Sequence, residues 1–125
     1  MFARNKKDIE SVLWGNGTSH RLLTERDKMG FTVCDTVVFA GTESQLQYRR
    51  HLEACYCIRG RGQVVSADGE KTFEIEPGIM YVLDQHDAHF LKADPGEDLH
   101  LISVFNPPLT GDEKHQLDPN GFSQY

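Results

Sequence analysis

Glycine and proline break this chain into short apolar pieces at nearly regular intervals, and that rhythm constrains the fold more than any other feature. Gly30, Gly41, Gly60, Gly62, Gly69, Gly78, Gly96 and Pro107-Pro108 separate segments of roughly 6 to 12 residues, the spacing of an all-β sandwich or barrel. Phe31 to Ala40, rich in Val, Thr and Phe, reads as a strand. Ala54 to Ile58 and Gln63 to Ser66 flank Gly60-Arg61-Gly62, which reads as a turn between antiparallel partners. Asp68-Gly69 is a second turn signal, and Lys71 to Glu76 then alternates polar and apolar residues. Ile79 to Leu83, Ala88 to Leu91 and Leu99 to Phe105 complete the strands. A short helix is predicted only over Lys6 to Leu13, and the polar tail, about 112–125, can order only against something else. Short antiparallel strands of this kind are stable when two sheets bury one face and close their edges.

At 125 residues the chain is sized for one domain, spanning 1–125. Its 13 Lys and Arg against 19 Asp and Glu leave a net charge of −6. That balance argues against nucleic acid as a partner, because phosphates are met by Lys and Arg. Runs such as Leu101 to Phe105 fall far short of the roughly 20 apolar residues of a membrane helix. The charged start, Met1 to Asp8, lacks the apolar stretch of a secretory signal. Cys34, Cys55 and Cys57 are odd in number and lack zinc-ligand spacing, so they read as buried free thiols in a reducing compartment. A cytoplasmic location is expected.

Two spacings carry chemistry. Gly41, Gln47, Arg49, Glu53 and Gly60 stand at the intervals of the first cupin motif, although both Gln47 and Arg49 occupy positions where that motif has a metal-binding His. Pro77-Gly78 is followed by His89 at the interval of the second cupin motif. The framework thus resembles a cupin that keeps two of four usual ligands, Glu53 and His89. Tyr81, eight residues before His89, is a candidate third donor. Strand periodicity alone does not place the two on one face, because a turn at Asp84 to Asp87 intervenes. Carboxylate, phenol and imidazole together suit iron or another divalent first-row metal.

Longer runs carry a closer resemblance. Arg50-His51-Leu52-Glu53-Ala54, the stretch from Glu76 through Tyr81, Leu83-Asp84 and His86-Asp87 to His89, and Val104-Phe105-Asn106-Pro107-Pro108 with Thr110-Gly111 resemble the ectoine synthase family. Met29-Gly30-Phe31, Phe39 to Glu43, Glu113 and His115 extend the likeness from about Ser19 to His115. The resemblance implies a single-domain cupin, a small β-barrel or jelly roll. It further implies an iron-dependent hydro-lyase that cyclises N-γ-acetyl-L-2,4-diaminobutyrate to the compatible solute ectoine, protective under osmotic stress. By the same resemblance Glu53, Tyr81 and His89 hold ferrous iron, and Tyr48 and His51 are catalytic. Arg21, Thr36, Phe105, Glu113 and His115 contact the small-molecule substrate, and two copies form a head-to-tail homodimer.

This chain departs from the family pattern in three places. Gly17 stands where the family has Trp, with Trp14 three residues earlier; Ser103 stands where Cys is common; Arg49-Arg50 replaces Gln-Asn and puts positive charge near the mouth. Trp14 compensates for the missing indole only if its loop is re-threaded. Two other readings therefore stay open: a related cupin that acts on another acylated amine or hydrolyses ectoine, and a non-catalytic cupin that binds an osmolyte.

Overall fold

The structure, a computed structural model, describes residues 1–124; Tyr125, the last residue of the predicted tail, lies outside the described residues. The strands are β1 (Ser11–Leu13), β2 (Gly17–Leu23), β3 (Thr32–Val38), β4 (Glu43–Gln47), β5 (Leu52–Arg59), β6 (Gly62–Ser66), β7 (Thr72–Ile75), β8 (Met80–Leu83), β9 (His89–Ala93), β10 (Leu99–Asn106) and β11 (Ser123–Gln124). One sheet runs β1-β2-β3-β10-β5-β8 and the other β11-β4-β9-β6-β7. Neighbours are antiparallel except β11, which joins β4 in parallel. The all-β reading holds.

From β3 onward the chain changes sheet at almost every connection, and β6–β7 is the one consecutive pair within a sheet. Each strand therefore has one face toward the opposite sheet. On β5 the buried set is Glu53, Cys55 and Cys57, while Leu52, Tyr56 and Ile58 are exposed. On β10 the buried set is Leu99, Leu101, Ser103 and Phe105. This period-two alternation sends apolar surface inward, together with a few polar groups that need a reason to be there.

Two expectations change. Gly60-Arg61-Gly62 does not close a hairpin: β5 pairs with β10 and β8, whereas β6 pairs with β7 and β9, so the segment is a corner between sheets. At this corner backbone approaches backbone. A Cβ on Gly60 would lie 2.5 Å from the Asp98 carbonyl oxygen, and one on Gly62 would collide with that of Lys92. The predicted helix over Lys6 to Leu13 shortens to a single 3-10 turn, Lys6–Asp8, capped by Asn5 Oδ1 on the Lys7 amide at 3.0 Å. Beyond Ile9 the chain pays out into β1, because pairing with Thr18 to His20 on β2 satisfies more backbone than one further helical turn would. The Asp68-Gly69 turn joins β6 to β7 as expected, and all three cysteines are free and buried.

Gly60→Ala is expected to cost at least about 2 kcal/mol in urea unfolding, since it adds a collision to a left-handed backbone (φ 85). Gly69→Ala, at φ 76 with open space around it, is expected to cost only about 1 kcal/mol.

Candidate active site

The connection from Leu83 to His89 explains how Tyr81 and His89 come together. It carries the chain from β8 in one sheet to β9 in the other, so the two residues face each other across the interior instead of sharing a strand face. Glu53 sits on β5 beside β8, in register with Leu83, while Cys55 is in register with Tyr81. Glu53 and Tyr81 are thus diagonal neighbours on the inward face. Glu53, Tyr81 and His89 all line one internal cavity of about 30 Å³, with Thr36, Tyr48 and Phe105 in the same wall. Among the described residues, no three His, Cys, Asp or Glu side chains are grouped to hold a metal ion, and the Tyr81 phenol lines the cavity beside Glu53 and His89.

The electrostatics of this trio are unusual. Burial pushes the Glu53 carboxyl up to about 8 and the Tyr81 hydroxyl well above its ordinary range, and lowers the His89 imidazole. His89 Nδ1 donates to the Asp87 carbonyl at 2.9 Å, which leaves Nε2 carrying a lone pair. That Nε2 is buried without a hydrogen-bond partner. An orphaned imidazole nitrogen beside a buried carboxyl and a buried phenol is a donor set that fits a divalent cation.

Of the two catalytic candidates, Tyr48 lines the cavity and His51 does not. Tyr48 packs edge-on against Phe105 with ring centres 5.1 Å apart, and its hydroxyl is 2.9 Å from His115 Nε2. His115 Nδ1 is 2.9 Å from Ser123 Oγ. Burial, helped by the charge of Arg21, lowers His115 to about 3, so its ring is neutral and bridges the two hydroxyls. His51 lies 6.1 Å from the Phe105 ring and donates from Nδ1 to the Pro107 carbonyl at 2.7 Å, which leaves Nε2 outside that bond. Thr36 Oγ1 is 3.0 Å from Ser103 Oγ, itself 3.5 Å from Cys55 Sγ.

Arg21 and Glu113 stand outside the cavity wall. Arg21 Nη1 donates to the Gly111 carbonyl at 2.7 Å and lies 3.9 Å from Glu113 Oε1, while Glu113 accepts from the amides of Thr110 and Gly111 at 2.9 Å each. The tail finds its ordering surface here: His115 is buried, and β11 lies along β4. Arg49 and Arg50 are exposed.

Several wall residues escaped the sequence reading, among them Ser19, Leu46, Cys55, Leu91 and Leu101. Cys55 was within reach, since it shares a strand face with Glu53. Trp14 lines the wall. It is buried, and a Cβ on Gly17 would lie 2.8 Å from its ring and collide with the Val37 carbonyl. Only glycine at position 17 leaves room for this indole.

The sequence profile of the ectoine synthase family matches residues 2–123. The chain belongs to the ectoine synthase family. It is 49% identical over 104 residues to the L-ectoine synthase of Desulfatibacillum aliphaticivorans, covering 83% of this chain and 78% of that protein. The crystal structure of ectoine synthase from P. lautus superimposes with a TM-score of 0.83 at 40% identity, covering 89% of this chain and 81% of that one. The Schizosaccharomyces pombe Cnp3 cupin domain, 12% identical with a TM-score of 0.67 over 84% of this chain and 73% of that one, shows the cupin fold alone. Within this ectoine synthase family member, no helix among the described residues is long and apolar enough to cross a membrane.

Because His115 is buried neutral, protonating it opposes docking of the tail. Its folded value is depressed from 6.5, so the stability it contributes is present above 6.5 and lost as pH falls toward 3. The stability of wild type relative to His115→Gln, read from urea unfolding, is expected to fall over that window by up to about 1.4 kcal/mol per pH unit. Parallel pH curves for the two proteins would contradict this.

Proposed function

We propose that this chain is an L-ectoine synthase, closing N-γ-acetyl-L-2,4-diaminobutyrate into the cyclic amidine ectoine with loss of water. The observation that carries the reading is the cavity where Glu53, Tyr81 and the unpartnered Nε2 of His89 converge, in a chain that belongs to this family. Those three residues are proposed to hold a divalent first-row metal, ferrous iron by the family resemblance; when bound it supplies Lewis acidity toward the acyl oxygen.

The remaining work falls to the protein. The substrate's α-ammonium must lose a proton before its nitrogen can attack the acyl carbon, and His51 Nε2 is the base held ready by Pro107. A ring C–N bond forms and the acyl C–O bond breaks, so the departing oxygen must gain protons. The Tyr48 hydroxyl, backed by His115 and Ser123, is the donor placed beside the cavity. Phe105 and Trp14 supply apolar wall that keeps bulk water from a reaction that dehydrates its substrate. Thr36 adds a hydroxyl to the wall. Arg21 is suited to the substrate carboxylate and Glu113 to an ammonium, and their mutual contact holds both near the tail. A cavity of about 30 Å³ has room for about two waters, so the wall must shift to admit the substrate.

Ectoine formation by iron-loaded protein, followed by chromatography, tests this reading; Glu53→Ala is expected to lower it at least about 1,000-fold while the fold persists. The altered wall, with Trp14 over Gly17 and Ser103 beside Thr36, favours a second reading in which another acylated amine is the better substrate or ectoine is hydrolysed. Turnover of a related acylated amine, or of ectoine itself, in place of the acetyl compound would establish it. Trp14 is the chain's single tryptophan, so ligand binding is expected to register in its fluorescence. A fluorescence change with no turnover of any of these compounds would leave an osmolyte-binding cupin.

The homodimer implied by the family is proposed to use the outer face of the β5–β8 edge. Strand register there lines up Val104, Ala54 and Val82 in one row and Ile102, Tyr56 and Met80 in the next. Tyr56, Met80 and Val82 are about half exposed, an apolar patch that a second copy would cover. Sedimentation is expected to give twice the 14.2 kDa chain mass for wild type and a monomer for the Tyr56→Glu, Met80→Glu pair. A monomeric wild type would overturn the proposal.

A further inference from the structure

The corner between β4 and β5, residues 48–51, carries the two residues proposed to handle protons. It lies outside both strand ladders, and its side chains diverge: Tyr48 and His51 are buried, while Arg49 and Arg50 are exposed. A small rotation of this backbone would move both buried rings at once. Something must hold it.

His86, in the connection between β8 and β9, does so from outside. Its Nδ1 lies 2.9 Å from the Tyr48 carbonyl oxygen and 3.1 Å from that of His51. Carbonyl oxygens only accept, so Nδ1 bears the proton and shares it between the two ends of the corner. The contact is returned: Gln47 Nε2 donates to the His86 carbonyl at 3.1 Å. To make these bonds His86 adopts φ 52, one of two non-glycine residues with positive φ among the described residues. A left-handed residue without glycine's freedom persists where its surroundings over-determine it, and such outliers gather at functional sites. Its own segment also ties to the proposed metal site, since Tyr81 precedes it on β8 and His89 opens β9.

We propose that His86 is a positioning residue that clamps the Tyr48–His51 corner. It keeps the Tyr48 hydroxyl and the His51 imidazole in place against Phe105, and links them to the turn between Tyr81 and His89. This rests on the assignment of Tyr48 and His51 as the proton-handling pair. His86 touches neither cavity nor substrate, and acts through the backbone it holds. In the sequence it stands in Asp84-Gln85-His86-Asp87-Ala88-His89, within the run that resembles the family, where it reads as part of a polar turn.

The test separates the hydrogen bond from the backbone conformation. His86→Gly accepts the left-handed φ and removes the donor; His86→Asn also tolerates that φ and restores an N–H at a similar distance from the backbone. For His86→Gly, kcat is expected to fall about 10- to 100-fold with KM within about threefold, since misplacement of about 1 Å is enough for such a loss. His86→Asn is expected to recover most of it. Should His86→Gly fail to fold, His86→Asp, with an acceptor in place of the donor, takes its part. The His51 ring resonances, followed by NMR in imidazole-labelled protein without substrate, are expected to shift in the glycine variant and return in the asparagine variant. Wild-type kcat in His86→Gly, equal impairment in both variants, or an effect on KM alone would overturn the proposal. If the wild type makes no ectoine, the functional reading fails while the His51 resonances still decide the clamp.

Discussion

A carboxyl group taken out of water needs a compensating charge or a proton, and Glu53 is enclosed with neither Lys nor Arg within ion-pairing distance among the described residues. Burial holds its proton on to about pH 8. Around it stand a phenol and an imidazole that burial also drives neutral. A core made for stability alone would fill these positions with apolar side chains. Three neutralised polar groups around one small cavity make sense when a cation completes them, because a cation restores the carboxylate, lowers the phenol and accepts the lone pair of His89. The proposed metal thus turns a folding liability into a site.

The two-sheet roll supplies what that arrangement requires. Glu53 and Tyr81 come from neighbouring strands of one sheet and His89 from the facing sheet, so the donors approach from two sides of the interior. The repeated sheet changes also create the corners on which Tyr48, His51 and His86 sit. Rigid strands carry the proposed metal donors, and connections carry the proton-handling groups, held in turn by Pro107, Ser123 and His86.

Legibility in the sequence followed the physics of each segment. β3 and β10 were readable because β-branched and apolar residues crowd both. β4, Glu-Ser-Gln-Leu-Gln, was not: only Leu46 is apolar, and pairing with β9 and β11 makes it a strand. The Gly60 corner looked like a hairpin because both need glycine, and only the far-off strands β9 and β10 decide between them. Glu53 and His89 were visible through motif spacing, whereas periodicity left Tyr81 open because the intervening turn changes sheet. Trp14 illustrates the limit most directly. The sequence showed Gly17 three residues from it, but its place in the wall also depends on the path of the β1–β2 connection, which local pattern does not encode.

The tail joins these levels. Residues 112–124 lack the composition to fold alone, yet they deliver His115 to Tyr48 and Ser123 to His115, and Glu113 to Arg21. The proton path proposed for Tyr48 is therefore complete only when the tail is docked. Docking also sets His115 edge-on to Trp14 of the cavity wall, with ring centres 6.1 Å apart. Packing against the wall's Trp14 and assembly of the donor chain then become one event. Such coupling suits a dehydration, in which the proposed relay and the apolar wall beside it serve the same step.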